Sequence, residues 1–147
     1  MKRIARSAIV ERSAAQIYAL VDDIEAYPSF LPWCVAARVE ERAAAGTRAT
    51  LTVGVRGLRQ SFTTLNRGRP GKAIDLSLVQ GPFRHFAAAW RFTALSEQAS
   101  RIEFSLEYDF SSRALAKLLE PLFERIADTM VDAFTRRAAE VYGRAER

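Results

Sequence analysis

One cysteine, Cys34, and one histidine, His85, are all that 147 residues supply of the two side chains that carry most nucleophilic and metal chemistry. A lone cysteine excludes an internal disulfide, and one Cys with one His cannot furnish the ligand set of a zinc site. No Gly-x-Ser-x-Gly elbow, Gly-rich phosphate loop or Gly-x-Gly-x-x-Gly turn occurs, so hydrolase, kinase and dinucleotide-binding readings lose their usual supports. Long apolar runs are missing too. The longest stretch without charge, Ala26 to Ala37, has twelve residues and is broken by Pro28 and Pro32, too short to span a bilayer. Lys2, Arg3 and Arg6 follow Met1 with no apolar run of signal-peptide length behind them, which sets the expectation of a cytoplasmic protein. Lysine is scarce, three against nineteen arginines, a bias that genome composition alone can produce.

The remainder is ordinary globular material, 49% hydrophobic and 27% charged, neither disordered nor fibrous. A mass of 16.5 kDa suits one domain, large enough to bury roughly 68–70% of its unfolded surface without a disulfide or metal staple. With no repeat or linker to divide it, the expected unit is residues 1–143, with 144–147 as a frayed end. The net charge of +5 is unevenly placed: residues 1–47 carry six basic and six acidic side chains, 48–91 eight against one, and 97–146 seven against ten.

Alternation of period two is clearest at Arg101 to Phe110, where Ile102, Phe104, Leu106, Tyr108 and Phe110 face one way and charged or small residues the other. Weaker alternation recurs around Phe86 to Ala94, Ile74 to Leu78, Leu51 to Val55 and Val35 to Val39. Gly46, Gly57, Gly68 to Gly71 and Gly81-Pro82 punctuate these runs at hairpin spacing. With Lys2 to Val10 and Arg59 to Arg67, seven antiparallel strands are expected. Ser13 reads as the N-cap of a short amphipathic helix carrying Ile17, Leu20 and Val21, and Asp22 to Leu31 as a second helical turn. From Leu115 to Tyr142, apolar residues recur every three or four positions, the mark of one long helix capped by Ser112. Pro121 is expected to kink that helix or to start its main segment. The class is α+β, a seven-stranded antiparallel sheet with two short helices between strands 1 and 2.

Seven strands at about 4.8 Å spacing span about 34 Å, whereas a helix is only about 10–12 Å across, so the sheet must curl round the long helix. Unless large side chains fill it, the space inside is a ligand cavity. Its expected lining is Phe30, Leu31, Trp33, Phe83, Trp90, Phe92, Phe104 and Tyr108, with Phe123, Ile126 and Met130 from the helix. In Tyr27-Pro28-Ser29-Phe30-Leu31-Pro32-Trp33-Cys34, Tyr27 and Trp33 read as a core plug, and Phe30 and Leu31 as contacts for a ligand or membrane. Tyr18, Tyr108, Trp33 and Trp90 are donors that a polar head could use.

Other candidates carry less. Cys34 reads as a buried packing residue, His85 as a solvated residue of a hairpin loop, and Glu103, Glu107 and Asp109 as outward carboxylates paired across strands with arginines. No catalytic residue and no metal site is assigned. Arg56, Arg59, Arg67, Arg69 and Arg84, within the basic middle, suit an anionic partner such as ribosomal RNA or a membrane face. No helix-turn-helix, KH loop or RNA-recognition signature accompanies them, and DNA is not an expected partner.

Taken in order, Tyr27-Pro28-x-Phe30-Leu31-Pro32-Trp33-Cys34, Phe62-Thr63-Thr64-x-Asn66, Gly81-Pro82-Phe83 with Trp90-x-Phe92, Arg101-Ile102-Glu103-Phe104, and Met130-Val131-x-Ala133-Phe134-x-x-Arg137-Ala138 resemble the coenzyme Q-binding START-like family, a branch of the polyketide cyclase/dehydrase-like superfamily that includes the RatA-type ribosome-association toxins. The resemblance implies a helix-grip fold and non-enzymatic binding of ubiquinone or a related lipid in support of respiration, with no cofactor required. An apolar mouth ringed by arginines, at Phe83 and Arg84 or at Leu58 between Arg56 and Arg59, would then suit peripheral contact with the inner membrane face. For the toxin branch it implies instead binding to the large ribosomal subunit and a block on subunit association. A cyclase activity is implied by fold analogy alone.

Overall fold

The computed structural model describes residues 1–143; the frayed end expected at 144–147 lies outside the described residues. Seven strands, β1 (Lys2–Val10), β2 (Cys34–Ala43), β3 (Gly46–Val55), β4 (Leu58–Arg69), β5 (Ala73–Gln80), β6 (Phe83–Ser96) and β7 (Ala99–Phe110), form one antiparallel sheet in the order β1-β7-β6-β5-β4-β3-β2. Helix α1 (Ala14–Asp22) and a 3-10 segment, Ile24–Ser29, connect β1 at one edge to β2 at the other. Helix α2 (Arg113–Tyr142) packs against β7 and β1 and meets α1. This is the expected helix-grip arrangement.

Local chemistry explains the boundaries. Ser13 Oγ accepts from the Gln16 N–H at 3.1 Å, while Gln16 Oε1 accepts from the Ser13 N–H at 3.0 Å, a reciprocal box that satisfies two donors at the start of α1. Ser112 Oγ does the same work for Leu115 N at 3.2 Å. Pro121 does not start α2, which begins eight residues earlier and runs through the proline without interruption. The lost N–H frees the Lys117 carbonyl, but both residues are exposed, so water is available to it.

Register shifts at Cys34/Ala36, Val39/Glu41, Thr63/Thr64, Phe83/His85 and Ala94/Ser96 are the bends by which a sheet of this width closes on a single helix. Alternation is cleanest in β7. In β7, Ser100, Ile102, Phe104, Leu106, Tyr108 and Phe110 are buried against α2, and the residues between them face outward. Ser100, fully buried, donates to the Arg12 carbonyl at 3.0 Å and ties β7 to the end of β1. No helix among the described residues is long and apolar enough to cross a membrane.

Candidate functional site

The rings expected to line a cavity are packed on one another. One group centres on Phe134 of α2, whose ring lies 5.3 Å from Trp90, 5.1 Å from Phe30 and 5.5 Å from Tyr27; Trp90 in turn meets Phe104 at 4.9 Å and stacks on Phe92 at 6.0 Å. A second group centres on Phe123, which touches Phe83 at 5.3 Å, Phe110 at 5.5 Å, Tyr108 at 5.7 Å and Phe62 at 5.9 Å. Ile126 and Met130 are buried between these two groups along α2. At such separations edge-to-face rings are in van der Waals contact, so the side chains themselves take much of the room that the width of the sheet allows.

Two further residues differ from expectation. Leu31 is 1% exposed and belongs to the core with Tyr27 and Trp33, because the Leu31 N–H bonds back to the Tyr27 carbonyl at 2.9 Å and turns the side chain inward. Phe83 is likewise buried, so the mouth expected beside Arg84 is closed by its own ring. Phe30 is half-buried, with the Arg137 guanidinium 4.9 Å over its face. Phe62, Phe110 and Phe134 were not among the expected lining residues, although each sits at an inward position of its strand or helix stripe.

The basic middle is not one patch. Arg59 and Arg67 stand eight residues apart on β4, about 26 Å at the usual rise, so Arg56 and Arg59 flank one end of the strand and Arg67 and Arg69 the other. They share a face nonetheless. Phe62 and Thr64 of β4 are buried, which turns Arg59, Ser61, Thr63, Leu65, Arg67 and Arg69 outward; Arg48, opposite Leu65, lies on the same side. Between the arginines run hydroxyls bonded in pairs, Thr50 with Thr63 at 2.7 Å and Thr52 with Ser61 at 2.8 Å. A depression of about 570 Å³ bordered by Arg38, Arg48, Thr50, Ser61 and Thr63 follows them. The single carboxylate of this chain segment, Asp75, is held by Arg91 at 2.8 Å; Arg38 is forked onto Glu40 and Arg84 reaches Asp109 at 3.5 Å. Among the described residues, Arg48, Arg56, Arg59, Arg67 and Arg69 have no carboxylate partner.

A separate pocket of about 340 Å³ opens where the β3–β4 turn approaches α2, lined by Pro32, Trp33, Val35, Leu58 and Leu122 with Arg56, Arg59 and Arg125. Leu58 and its two flanking arginines are thus part of an apolar-floored opening, joined by Arg125, which nothing in the local sequence singles out. Gly54 makes room for it: a Cβ there would sit 2.7 Å from the Leu58 carbonyl oxygen.

His85 lies on β6, not in a loop, and its Nε2 is 2.9 Å from Glu107 Oε1 on the neighbouring strand. That hydrogen bond first, and then the nearby Arg3, hold the Glu107 carboxyl below its usual range. Asp109 meets Arg84, and Glu107 meets Arg3, across strands as expected, whereas Glu103 pairs with Arg101 on its own strand. Cys34 is buried, and desolvation raises its thiol to about 11 against a weaker, opposing backbone hydrogen bond at Ala36, which leaves it an inert packing residue. Two buried donors stand without a partner, Trp33 Nε1 and the Tyr108 hydroxyl.

Comparison with known proteins fits this geometry. A family model described as polyketide cyclase/dehydrase and lipid transport matches residues 10–135. The ribosome association toxin RatA of Vibrio cholerae is 43% identical over 143 residues, covering 97% of this chain and 99% of the toxin. The mitochondrial coenzyme Q-binding protein COQ10 homolog B of Xenopus laevis is 29% identical over 151 residues, covering 99% of this chain and 62% of that protein. The Zhui aromatase/cyclase of Streptomyces sp. R1128 superposes with a TM-score of 0.82 at 16% identity, over 93% of each chain, a likeness of fold. Sheet order, gripped helix and near full-length sequence similarity together establish that the chain belongs to the START-like polyketide cyclase/dehydrase and lipid transport family, alongside the RatA and coenzyme Q-binding proteins.

Proposed function

We propose that the protein associates with the large ribosomal subunit through the outer face of β3 and β4, and that it acts by binding, with no chemical step. The observation that carries this reading is the set Arg48, Arg59, Arg67 and Arg69, turned to one face, free of carboxylate partners among the described residues, and interleaved with Thr and Ser hydroxyls. Guanidinium groups bind phosphate in bidentate fashion, and hydroxyls add contacts to sugar and backbone, so such a face suits RNA read by its backbone. The similarity to proteins named ribosome association toxins supports it. A protein seated on the joining face of the subunit would block association by occupying space. Co-sedimentation with purified large subunits tests the proposal: binding that weakens steeply with salt and fails when the four arginines become alanine is expected, and salt-insensitive or absent association refutes it.

A second reading, binding of a polyprenyl quinone or similar lipid, is favoured by one observation. Leu51 of β3 and Leu76 and Leu78 of β5 point to the inner face yet are only half-buried, so part of that face keeps apolar surface within reach of a ligand, and the similarity to a coenzyme Q-binding protein points the same way. Each five-carbon isoprenoid unit removed from water contributes about 3–4 kcal/mol, at roughly 0.8 kcal/mol per carbon. Mass spectrometry of organic extracts of the purified protein decides it: a co-purifying quinone supports the reading, and repeatedly empty protein removes it.

A further inference from the structure

We infer that the pocket between the β3–β4 turn and α2 is a binding site for a small anionic amphiphile, a single apolar chain ending in a carboxylate or phosphate. Its floor is apolar, from Pro32, Trp33, Leu58 and Leu122, and its volume of about 340 Å³ falls within the range of small-molecule sites. Its rim is wholly cationic. Arg56 and Arg59 from the turn and Arg125 from α2 converge on it, and no carboxylate lines it. Three guanidinium groups round one opening repel each other, and an oxyanion relieves that repulsion while accepting charge-assisted hydrogen bonds.

Two independent features say that the site is built for an occupant. Trp33 is 5% exposed, yet its indole N–H has no hydrogen-bond partner; buried donors are almost always paired, and an acceptor on the ligand would complete this one. The turn itself is the second. Val55 pairs with Leu58, so Arg56-Gly57 is a two-residue hairpin loop with both residues at positive φ, 53° and 83°. Asn or Gly is preferred at the first of these positions, and an arginine there holds a left-handed backbone at a cost. In return its side chain is fixed at the rim of the pocket.

The combination selects the ligand class. A neutral lipid would use the floor and leave three charges unmatched; an RNA phosphate would use the charges and leave the floor wet. The pocket shares Arg59 with the outer face of β3 and β4, but Trp33, Leu122 and Arg125 lie off that face, so variants of Arg125 and Arg56 test it apart from ribosome docking.

The test follows the two indole N–H cross-peaks of the full chain in proton–nitrogen correlation spectra, assigned with Trp90→Phe, during titration with dodecanoate, dodecyl phosphate and uncharged dodecanol below their aggregation limits. Saturable movement of the Trp33 peak is expected with either anion, the tighter of the two naming the headgroup, and binding at least about tenfold weaker with dodecanol. Arg125→Ala and Arg56→Ala should each weaken anion binding about five- to tenfold, whereas Arg136→Ala, whose side chain pairs with Asp132, should not change it. Equal binding of dodecanol, no saturable shift, or unchanged affinity in Arg125→Ala overturns the inference. Loss of ribosome association with anion binding intact would sink only the reading of the preceding subsection.

Discussion

Replacing Arg48, Arg59, Arg67 and Arg69 together by alanine tests the outer face most directly, because the size of the effect follows from the number of charges removed. Each phosphate neutralised by an arginine releases condensed counterion, so the logarithm of the binding constant falls against the logarithm of salt concentration with a slope of about −0.7 to −0.9 per contact. Four contacts give a slope of about −2.8 to −3.6, which between about 50 and 200 mM salt is a loss of roughly 50- to 150-fold. The quadruple variant should therefore bind more weakly at low salt and lose about three units of slope, while its thermal midpoint stays within a few degrees. None of the four has an ion-pair partner to strand among the described residues, and exposed substitutions of this kind are usually near neutral for stability. The assay is sedimentation of the protein with purified large subunits over a salt series. Testing Arg59 alone and Arg48, Arg67 and Arg69 together adds resolution, since Arg48 lies opposite Leu65 at the Arg67 end, and the two ends of β4 should carry about one quarter and three quarters of the slope. An unchanged slope in the quadruple variant would show that the partner is held elsewhere.

Three other outcomes probe the packing and the titrating groups. Met130→Trp puts a larger side chain into a stripe of α2 already filled between Ile126 and Phe134, and should lower stability by about 1–3 kcal/mol in urea unfolding; unchanged stability would reveal spare room inside the grip. With its thiol raised to about 11, Cys34 should react with iodoacetamide at pH 8 at least about a hundredfold slower in the folded than in the unfolded protein, and comparable rates would contradict its burial. Because the folded state lowers the Glu107 carboxyl, the stabilisation it gives is present above the unfolded value of about 4.3 and fades as pH falls below that. The advantage of the native protein over Glu107→Gln in thermal melts should be full at pH 7 and gone at pH 2, and a gap that is the same at both would remove the ionic explanation.

Much of this fold is written locally. Most strands of the sheet carry their own period-two signal, and glycines or Gly-Pro stand at four of the turns between them, so all seven were legible, as were the caps Ser13 and Ser112. What failed to show was whatever depends on partners distant in sequence. Which rings meet is decided by the curl of the sheet, so Phe134 of α2, an inward-facing residue like many others in the sequence, turns out to sit at the centre of one aromatic group, and Phe62 of β4 to join the other around Phe123. Phe83 and Leu31 look like loop residues beside turns, but the chain folds both inward. His85 follows Gly81-Pro82 closely enough to suggest a loop, yet β6 starts at Phe83, immediately after the turn. The basic segment looks continuous because neighbours in sequence were treated as neighbours in space. An extended strand undoes that, separating Arg59 from Arg67 by its own length while keeping them on one side.

That separation bears on why the outer surface is asymmetric. On β1, β6 and β7 the outward charges are matched across strands: Arg3 with Glu107, Arg84 with Asp109, Arg91 with Asp75, and Arg101 with Glu103 on its own strand. This half lies over the strands that α2 grips, and its charges are neutralised within the protein. On β3 and β4 the same alternation sets Arg59 and Arg69 across from Gly54 and Ala73, while Arg48 and Arg67 stand across from Glu41 and Asp75 without an ion pair to either among the described residues, Asp75 being held by Arg91. Packing does not require the difference, since the inner face of β3 and β4 buries Ala49, Val53, Phe62 and Thr64 whatever stands outside. Guanidinium groups on one face without ion pairs repel one another and add nothing to folding, which accords with the proposed anionic partner. A polyanion long enough to run the length of β4 satisfies both ends at once, which a single small anion cannot do, and this reach is what separates the outer face from the compact three-arginine pocket beside α2.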